Sequence, residues 1–208
     1  MLNAVLARVS RLLRAPVERY IRPNPRINSI VWDLQYKLGF WRYLDRLSDG
    51  EMPLALVETW APRPTILDLG CGSSANMPLP AGRYRHYHGV DVSRAAIAQA
   101  RRLGRPHTSF EVADIRTFTT DERYDAILLR EVLYYLTPQE SRDLLLRLPG
   151  LLSDRGRIVV QIHSVEQARD VVELVRGCGV PVDREVPARL GDGPSGAFLL
   201  LKSPVVRA

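Results

Sequence analysis

The chain has 208 residues, 46% apolar and 25% charged, the balance of an ordinary globular protein long enough to bury one core. Its two cysteines, Cys71 and Cys178, have neither paired nor metal-ligand spacing, which argues against a disulfide framework and a structural zinc site, and no apolar run approaches the roughly 20 residues of a membrane span. Of the net charge of +6, residues 1–30 carry +5 (six arginines against Glu18), while the rest of the chain holds 23 basic and 22 acidic side chains, so no broad nucleic-acid surface is expected.

Residues 2–21 read as a basic amphipathic helix, with Leu2, Val5, Leu6, Val9, Leu12 and Leu13 at helical spacing and arginines between them. Arginines 8, 11 and 14 interrupt any apolar core, so this is not a secretory signal, and a cytoplasmic protein is expected. Pro23 and Pro25 stop the helix. A second helix is expected over Asn28–Ser48, with Ile30, Leu34 and Leu38 on one face, and a short third over Leu54–Trp60.

From Thr65 onward the pattern changes. Strands are predicted over Thr65–Leu69, His86–Val90, Thr108–Val112, Tyr124–Leu129 and Arg157–Ile162. Helices are predicted over Arg94–Leu103 (capped by Ser93), Pro138–Leu148 (capped by Thr137) and Val165–Gly177. Val180–Val186 and Ala197–Lys202 are expected to pair as an antiparallel hairpin. Alternation of strands and helices implies a parallel sheet covered on both faces.

The chemistry sits where strands meet loops. In TILDLGCGSSAN, an apolar strand runs into Asp68-Leu69-Gly70-Cys71-Gly72, where glycines permit a sharp turn and a close backbone approach to a ligand. Asp91 closes the next strand, at the distance where a carboxylate meets ribose hydroxyls, and Asp114 closes the one after. Taken singly, each acid reads equally as a loop cap. A nicotinamide-binding fold is the rival, but the third glycine of its fingerprint is missing.

From about Pro64 to Ser203 the chain resembles the class I S-adenosylmethionine-dependent methyltransferases, on five ordered motifs: ILDLGCG, GVDVS, VADI, YDAILLREVLYYL and LLSDRGRIVVQI. The resemblance implies an α/β fold: a Rossmann-like, doubly wound, mostly parallel seven-stranded sheet with an antiparallel C-terminal hairpin strand. Residues 51–208 would form that domain and residues 1–50 an N-terminal helical extension covering the active site. It also implies S-adenosylmethionine as cofactor and S-adenosylhomocysteine as product. Asp68, Gly70, Cys71 and Gly72 would surround the methionine part. Asp91 would bind the ribose, Val92, Asp114 and Ile115 the adenine, and Arg130 would line the cleft. Two departures stand out: Ser74 replaces a frequent third glycine, and Met77-Pro78-Leu79-Pro80 cannot continue a normal helix after the loop.

Methyl transfer chiefly requires alignment, with a base where the acceptor carries a proton. Candidate bases follow strands four and five: His163 first, because imidazole titrates near neutrality, then Glu131, with Tyr134 nearby. Tyr36, Phe40 and Tyr43 share a helix face that suits stacking on a sugar or other flat acceptor. No metal is expected, for want of clustered carboxylates after strand four. The expected reaction is transfer to a hydroxyl, ahead of an amine, of a small molecule or saccharide; EVLYYL resembles the corresponding segment of methyltransferases acting on amino-sugar oligosaccharides. The alternatives are a nucleic-acid methyltransferase, which lacks its usual signature here, and a non-catalytic binding module. For residues 1–22 three readings stay open: peripheral contact with an anionic membrane, a homodimer contact, or folding over the active site.

Overall fold

A computed structural model describes residues 25–39, 51–189 and 195–203. The basic segment before Pro25, with Phe40 and Tyr43, lies outside the described residues. Helix α1 spans Pro25–Lys37 and α2 Glu51–Glu58. Then follow β1 (Thr65–Leu69), β2 (His86–Asp91), α3 (Arg94–Arg102), β3 (Thr108–Val112), β4 (Tyr124–Arg130), α4 (Pro138–Arg147), β5 (Leu152–Ile162), α5 (Arg169–Gly177), β6 (Val182–Arg189) and β7 (Ser195–Lys202).

The seven strands form one sheet in the order β3-β2-β1-β4-β5-β7-β6, parallel from β3 through β5 and antiparallel where β7 meets β5 and β6. This is the expected doubly wound sheet with its antiparallel hairpin. Alternation along the central strands sorts side chains onto two covered faces. Ile66, Ala126, Leu128 and Val159 pack with Leu54 and Val57 of α2 and Ile97 and Ala100 of α3. Their neighbours Leu67, Ile127, Leu129, Ile158 and Val160 pack on the other face with Leu144 and Leu145 of α4 and Val172 and Val175 of α5.

Caps place the helices. Ser93 Oγ accepts from Ala96 N at the start of α3. Thr137 and Glu140 form a reciprocal capping box on α4, which Pro138 opens.

Several boundaries differ from the sequence expectation. Helix α1 ends at Lys37, where Gly39 takes φ +73° and its N–H bonds Tyr36 O; from residue 40 on, the helix expected over Asn28–Ser48 lies outside the described residues. Residues 70–85 contain no helix, as the prolines at 78 and 80 imply; Met77, Leu79 and Tyr84 drop into the core beside α2. Strand β5 begins at Leu152, five residues early, its ladder to β4 interrupted by a register shift between Tyr124 and Ala126. Helix α5 begins at Arg169, not Val165, since a turn closed by Ala168 N to Ser164 O precedes it.

Candidate active site

A cleft opens beyond the C-terminal ends of β1–β4, the usual ligand position in such sheets. Gly70, Asp91, Val92, Asp114, Ile115 and Arg130 line it, six of the residues expected around the cofactor. Glu131 and Tyr36, expected at the catalytic and acceptor positions, line it too. Trp32, Arg116, Val132, Tyr135 and Leu136 complete the wall, and of these sequence reasoning placed only Tyr135 near the candidate bases.

The glycine loop is shaped by close approaches. Gly70 has φ +80°, and a Cβ there would lie 2.5 Å from Val132 Cγ2. Gly72 has φ +56°, with Tyr36 Oη against the place its Cβ would take. Ser74 also adopts a left-handed φ, +51°, the conformation a glycine takes freely. Its hydroxyl shares a hydrogen bond with Tyr87 Oη at 3.1 Å, and Tyr87 Oη donates to Asp68 Oδ2 at 2.6 Å. Asp68 is fully buried under the loop, its Oδ1 without a partner and Arg130 Nη1 3.9 Å from Oδ2. Burial pushes its carboxyl up, against the pull of Arg130 and Tyr87. Cys71 is buried, and burial with Asp91 and Asp68 pushes its thiol well up, so it packs as a small protonated side chain.

Asp91 ties three pieces together. Its Oδ2 accepts from Gly72 N at 2.9 Å and its Oδ1 from Ser93 N at 2.8 Å. Burial raises its pKa to about 6 despite those donors, with Asp68 and Asp33 adding repulsion. Asp114 lies at the start of the loop after β3, gripped by Arg116, which also reaches Glu140 Oε1 at 2.8 Å. Against the upward push of burial, Arg116 holds Asp114 below the ordinary carboxylate range.

Helix α1 forms a roof. Asp33 Oδ1 accepts from Ser93 Oγ at 2.7 Å and from Ala95 N at 3.0 Å, so it acts as an added cap on α3. Trp32 meets Tyr135 edge to face, ring centres 4.7 Å apart. The covering face is thus Trp32, Asp33 and Tyr36, while Ile30, Leu34 and Leu38 point outward. The apolar stripe gave no hint of this orientation.

Of the three candidate bases, Glu131 reaches the cleft wall, with φ +56°, a sparsely populated conformation for a non-glycine residue. Tyr134 and the His163 backbone N–H hydrogen-bond its carboxylate, but Oε1 is buried without a partner. Burial raises its pKa to about 7, against the pull of Tyr134, the His163 N–H and Arg130. Tyr134 also accepts from His163 N at 3.3 Å, and burial and Glu131 raise its own pKa. His163 is exposed and is not among the lining residues.

This geometry has known counterparts. Residues 66–156 match the family model described as a methyltransferase domain. That stretch, 91 of the 208 residues, is similar to a methyltransferase domain. Nodulation protein S of Sinorhizobium fredii is 31% identical over 109 residues, covering 51% of this chain and 50% of that protein. Nodulation protein S of Bradyrhizobium diazoefficiens is 39% identical over 74 residues, 35% of each. The chain spans about half or less of the length of these curated relatives. Among solved structures, the N-methyltransferase NodS of Bradyrhizobium japonicum, in complex with S-adenosyl-L-homocysteine, superposes with a TM-score of 0.65 at 22% identity, covering 77% of this chain and 91% of that one. The magnesium protoporphyrin IX methyltransferase of Synechocystis, with bound S-adenosylmethionine, gives 0.63 at 16%, covering 84% and 96%.

The residues present around the glycine loop and the cleft fit S-adenosylmethionine. The partnerless Asp68 Oδ1 suits the ammonium of its amino-acid part, and Asp91 suits the ribose hydroxyls. Val92 and Ile115 supply apolar contact for the adenine.

Proposed function

We propose that this chain transfers a methyl group from S-adenosylmethionine to an amine of a small molecule or saccharide, with Glu131 taking the amine's proton. The observation that carries the reading is Glu131 itself: a buried carboxyl on a left-handed backbone, one oxygen partnerless, in the cleft wall. The cofactor supplies an already activated methyl group. The chain's part is to align the acceptor, exclude water and hold its proton.

Glu131 Oε1 is the free acceptor for that proton, and Tyr134 with the His163 N–H holds the rest of the carboxylate in place. Its pKa of about 7 favours nitrogen over oxygen. An alkylammonium titrates near 10, within about three units of such a base, whereas a water-like hydroxyl lies near 15.7. Trp32 and Tyr135 give a cationic amine aromatic faces to approach. The likeness to an N-methyltransferase supports nitrogen over the hydroxyl that sequence reasoning ranked first.

The test is transfer of labelled methyl from S-adenosylmethionine to amino-sugar oligomers and simple amines, beside their N-acetylated counterparts. Label is expected in the free amines and lost on N-acetylation. Label retained by the N-acetylated compounds would move the reaction to oxygen.

A further inference from the structure

The turn that carries Asp114, Ile115 and Arg116 into the cleft wall keeps its shape without the Arg116 side chain. Thr117 N and Phe118 N donate to Asp114 O at 3.0 and 2.8 Å. Arg147, at the end of α4, donates through Nη2 to Ile115 O at 2.8 Å and to Arg116 O at 3.2 Å. The backbone is thus held from elsewhere, and the Arg116 guanidinium is turned onto two carboxylates instead, Asp114 and Glu140.

Asp114 accepts from three N–H groups of Arg116. The backbone N–H reaches Oδ1 at 3.0 Å, Nε–H is shared between Oδ1 at 2.9 Å and Oδ2 at 3.1 Å, and Nη2 reaches Oδ2. An ionised carboxylate offers about four lone-pair positions, so three protons leave room for about one further donor. Against the upward push of burial, these contacts hold Asp114 below the ordinary carboxylate range, so it offers acceptors and no proton of its own. The grip is anchored at its far end. Arg116 Nη1 donates to Glu140 Oε1 at 2.8 Å, and Glu140 Oε2 accepts from Thr137 N and Oγ1 at the head of α4. Rotation of the Asp114 carboxylate would break this chain of contacts.

A carboxylate fixed in this way tells one purine from another. Adenine carries an exocyclic amino group, which donates. Hypoxanthine carries an exocyclic oxygen at the same place, which only accepts. We propose that Arg116 is a positioning residue for base selection: it holds the Asp114 carboxylate at the cleft wall with one acceptor position open, which takes the amino group of an adenine and repels an oxo purine; this rests on S-adenosylmethionine as the ligand of the cleft, whichever acceptor atom is methylated. Without the guanidinium, the carboxylate is free to turn to water, and the base pocket loses its fixed acceptor.

The experiment is calorimetry of the full chain with S-adenosylhomocysteine and with S-inosylhomocysteine, in which oxygen replaces the exocyclic amino group. The wild type is expected to prefer the adenine compound at least about tenfold, since the oxo purine leaves the acceptor without a donor and sets oxygen against carboxylate. Arg116→Met keeps the aliphatic stem and is expected to bring that ratio within about threefold; Arg116→Lys, which restores the charge but not the fork, is expected to fall between. Circular dichroism verifies that each variant is folded. A wild-type ratio near one overturns the proposal. So does an unaltered ratio in the folded variants, even where both affinities fall together, because a merely structural role weakens the two compounds alike. No heat from the folded wild type with either compound overturns the cofactor reading and the proposal with it, a result distinct from failure of Arg116 alone.

Discussion

Replacing Glu131 with Gln keeps the shape of the side chain and removes its ability to hold a proton, so its consequences can be worked out in advance. Glu131 titrates at about 7 rather than the ordinary 4.5. Turnover should therefore rise with pH through about 7, as the carboxylate becomes available to accept, and Glu131→Gln should lose that rise along with about 10²–10⁴-fold in kcat. Stability should move the other way. Because the folded pKa exceeds the unfolded one, the native state binds more protons between pH 4.5 and 7, and stability drains away as pH rises through that window. Above it, ionising the buried carboxyl costs the fold up to about 3 kcal/mol, which the neutral amide does not incur. Glu131→Gln should thus melt up to about 6–12 °C higher than the wild type at pH 8 and match it near pH 4.5. The assay pairs initial rates at saturating substrates, from pH 5.5 to 9, with melting curves at both extremes and calorimetry of S-adenosylhomocysteine. His163→Ala, whose imidazole stands in solvent, should retain most of its turnover. Wild-type rates in Glu131→Gln, or an equal loss in His163→Ala, would refute the assignment of the base.

The cofactor end can be tested by affinity. Asp91→Asn leaves a single carbonyl oxygen where two carboxylate oxygens receive Gly72 N and Ser93 N, and S-adenosylhomocysteine should bind at least about tenfold more weakly by calorimetry. In the wild type that affinity should decline as pH falls through about 6, where Asp91 takes up a proton; a flat profile between pH 5 and 8 would contradict the role. Gly72→Ala places a methyl group against Tyr36 Oη on a left-handed backbone, so cofactor affinity should fall by about 1–3 kcal/mol. Adding Tyr36→Phe, which removes the clashing oxygen, should recover part of the loss; no recovery would mean that α1 is not pressed on the loop.

The sheet was legible because short apolar runs, the first two meeting a glycine loop or an acid, are local signals. Thr65–Leu69, Thr108–Val112 and the cap at Thr137 appear as read. Asp91, which closes β2, was legible for the same reason, since position at a strand end determines position in the cleft. What stayed hidden depends on partners far along the chain. Asp33 caps a helix some 60 residues away, and nothing near it in sequence announces that. Tyr87 looks like one more strand aromatic until its hydroxyl is found between Asp68 and Ser74. The aliphatic stripe of α1 suggested a packing face, but the caps and ring contacts of Trp32 and Asp33 turned that face outward. His163 was preferred over Glu131 on intrinsic pKa, whereas burial, which sequence does not report, brings the carboxyl to the useful range.

The same contacts explain why the loop region carries so much unfavourable charge. Gly72 N–H and Ser93 N–H converge on Asp91, Ser93 Oγ turns to Asp33, and Asp68 lies buried beneath, so three carboxylates crowd one glycine turn. Asp33 and Asp68 both push Asp91 upward, and Asp68 keeps one oxygen partnerless. A structural loop would gain by replacing these acids with neutral groups, because a buried unpaired carboxylate costs stability. Their presence is accounted for when a ligand brings what they lack: an ammonium for Asp68 Oδ1 and hydroxyl donors for Asp91. S-adenosylmethionine carries both, and a net positive charge besides, so the repulsion built into the turn would become binding energy directed at that ligand.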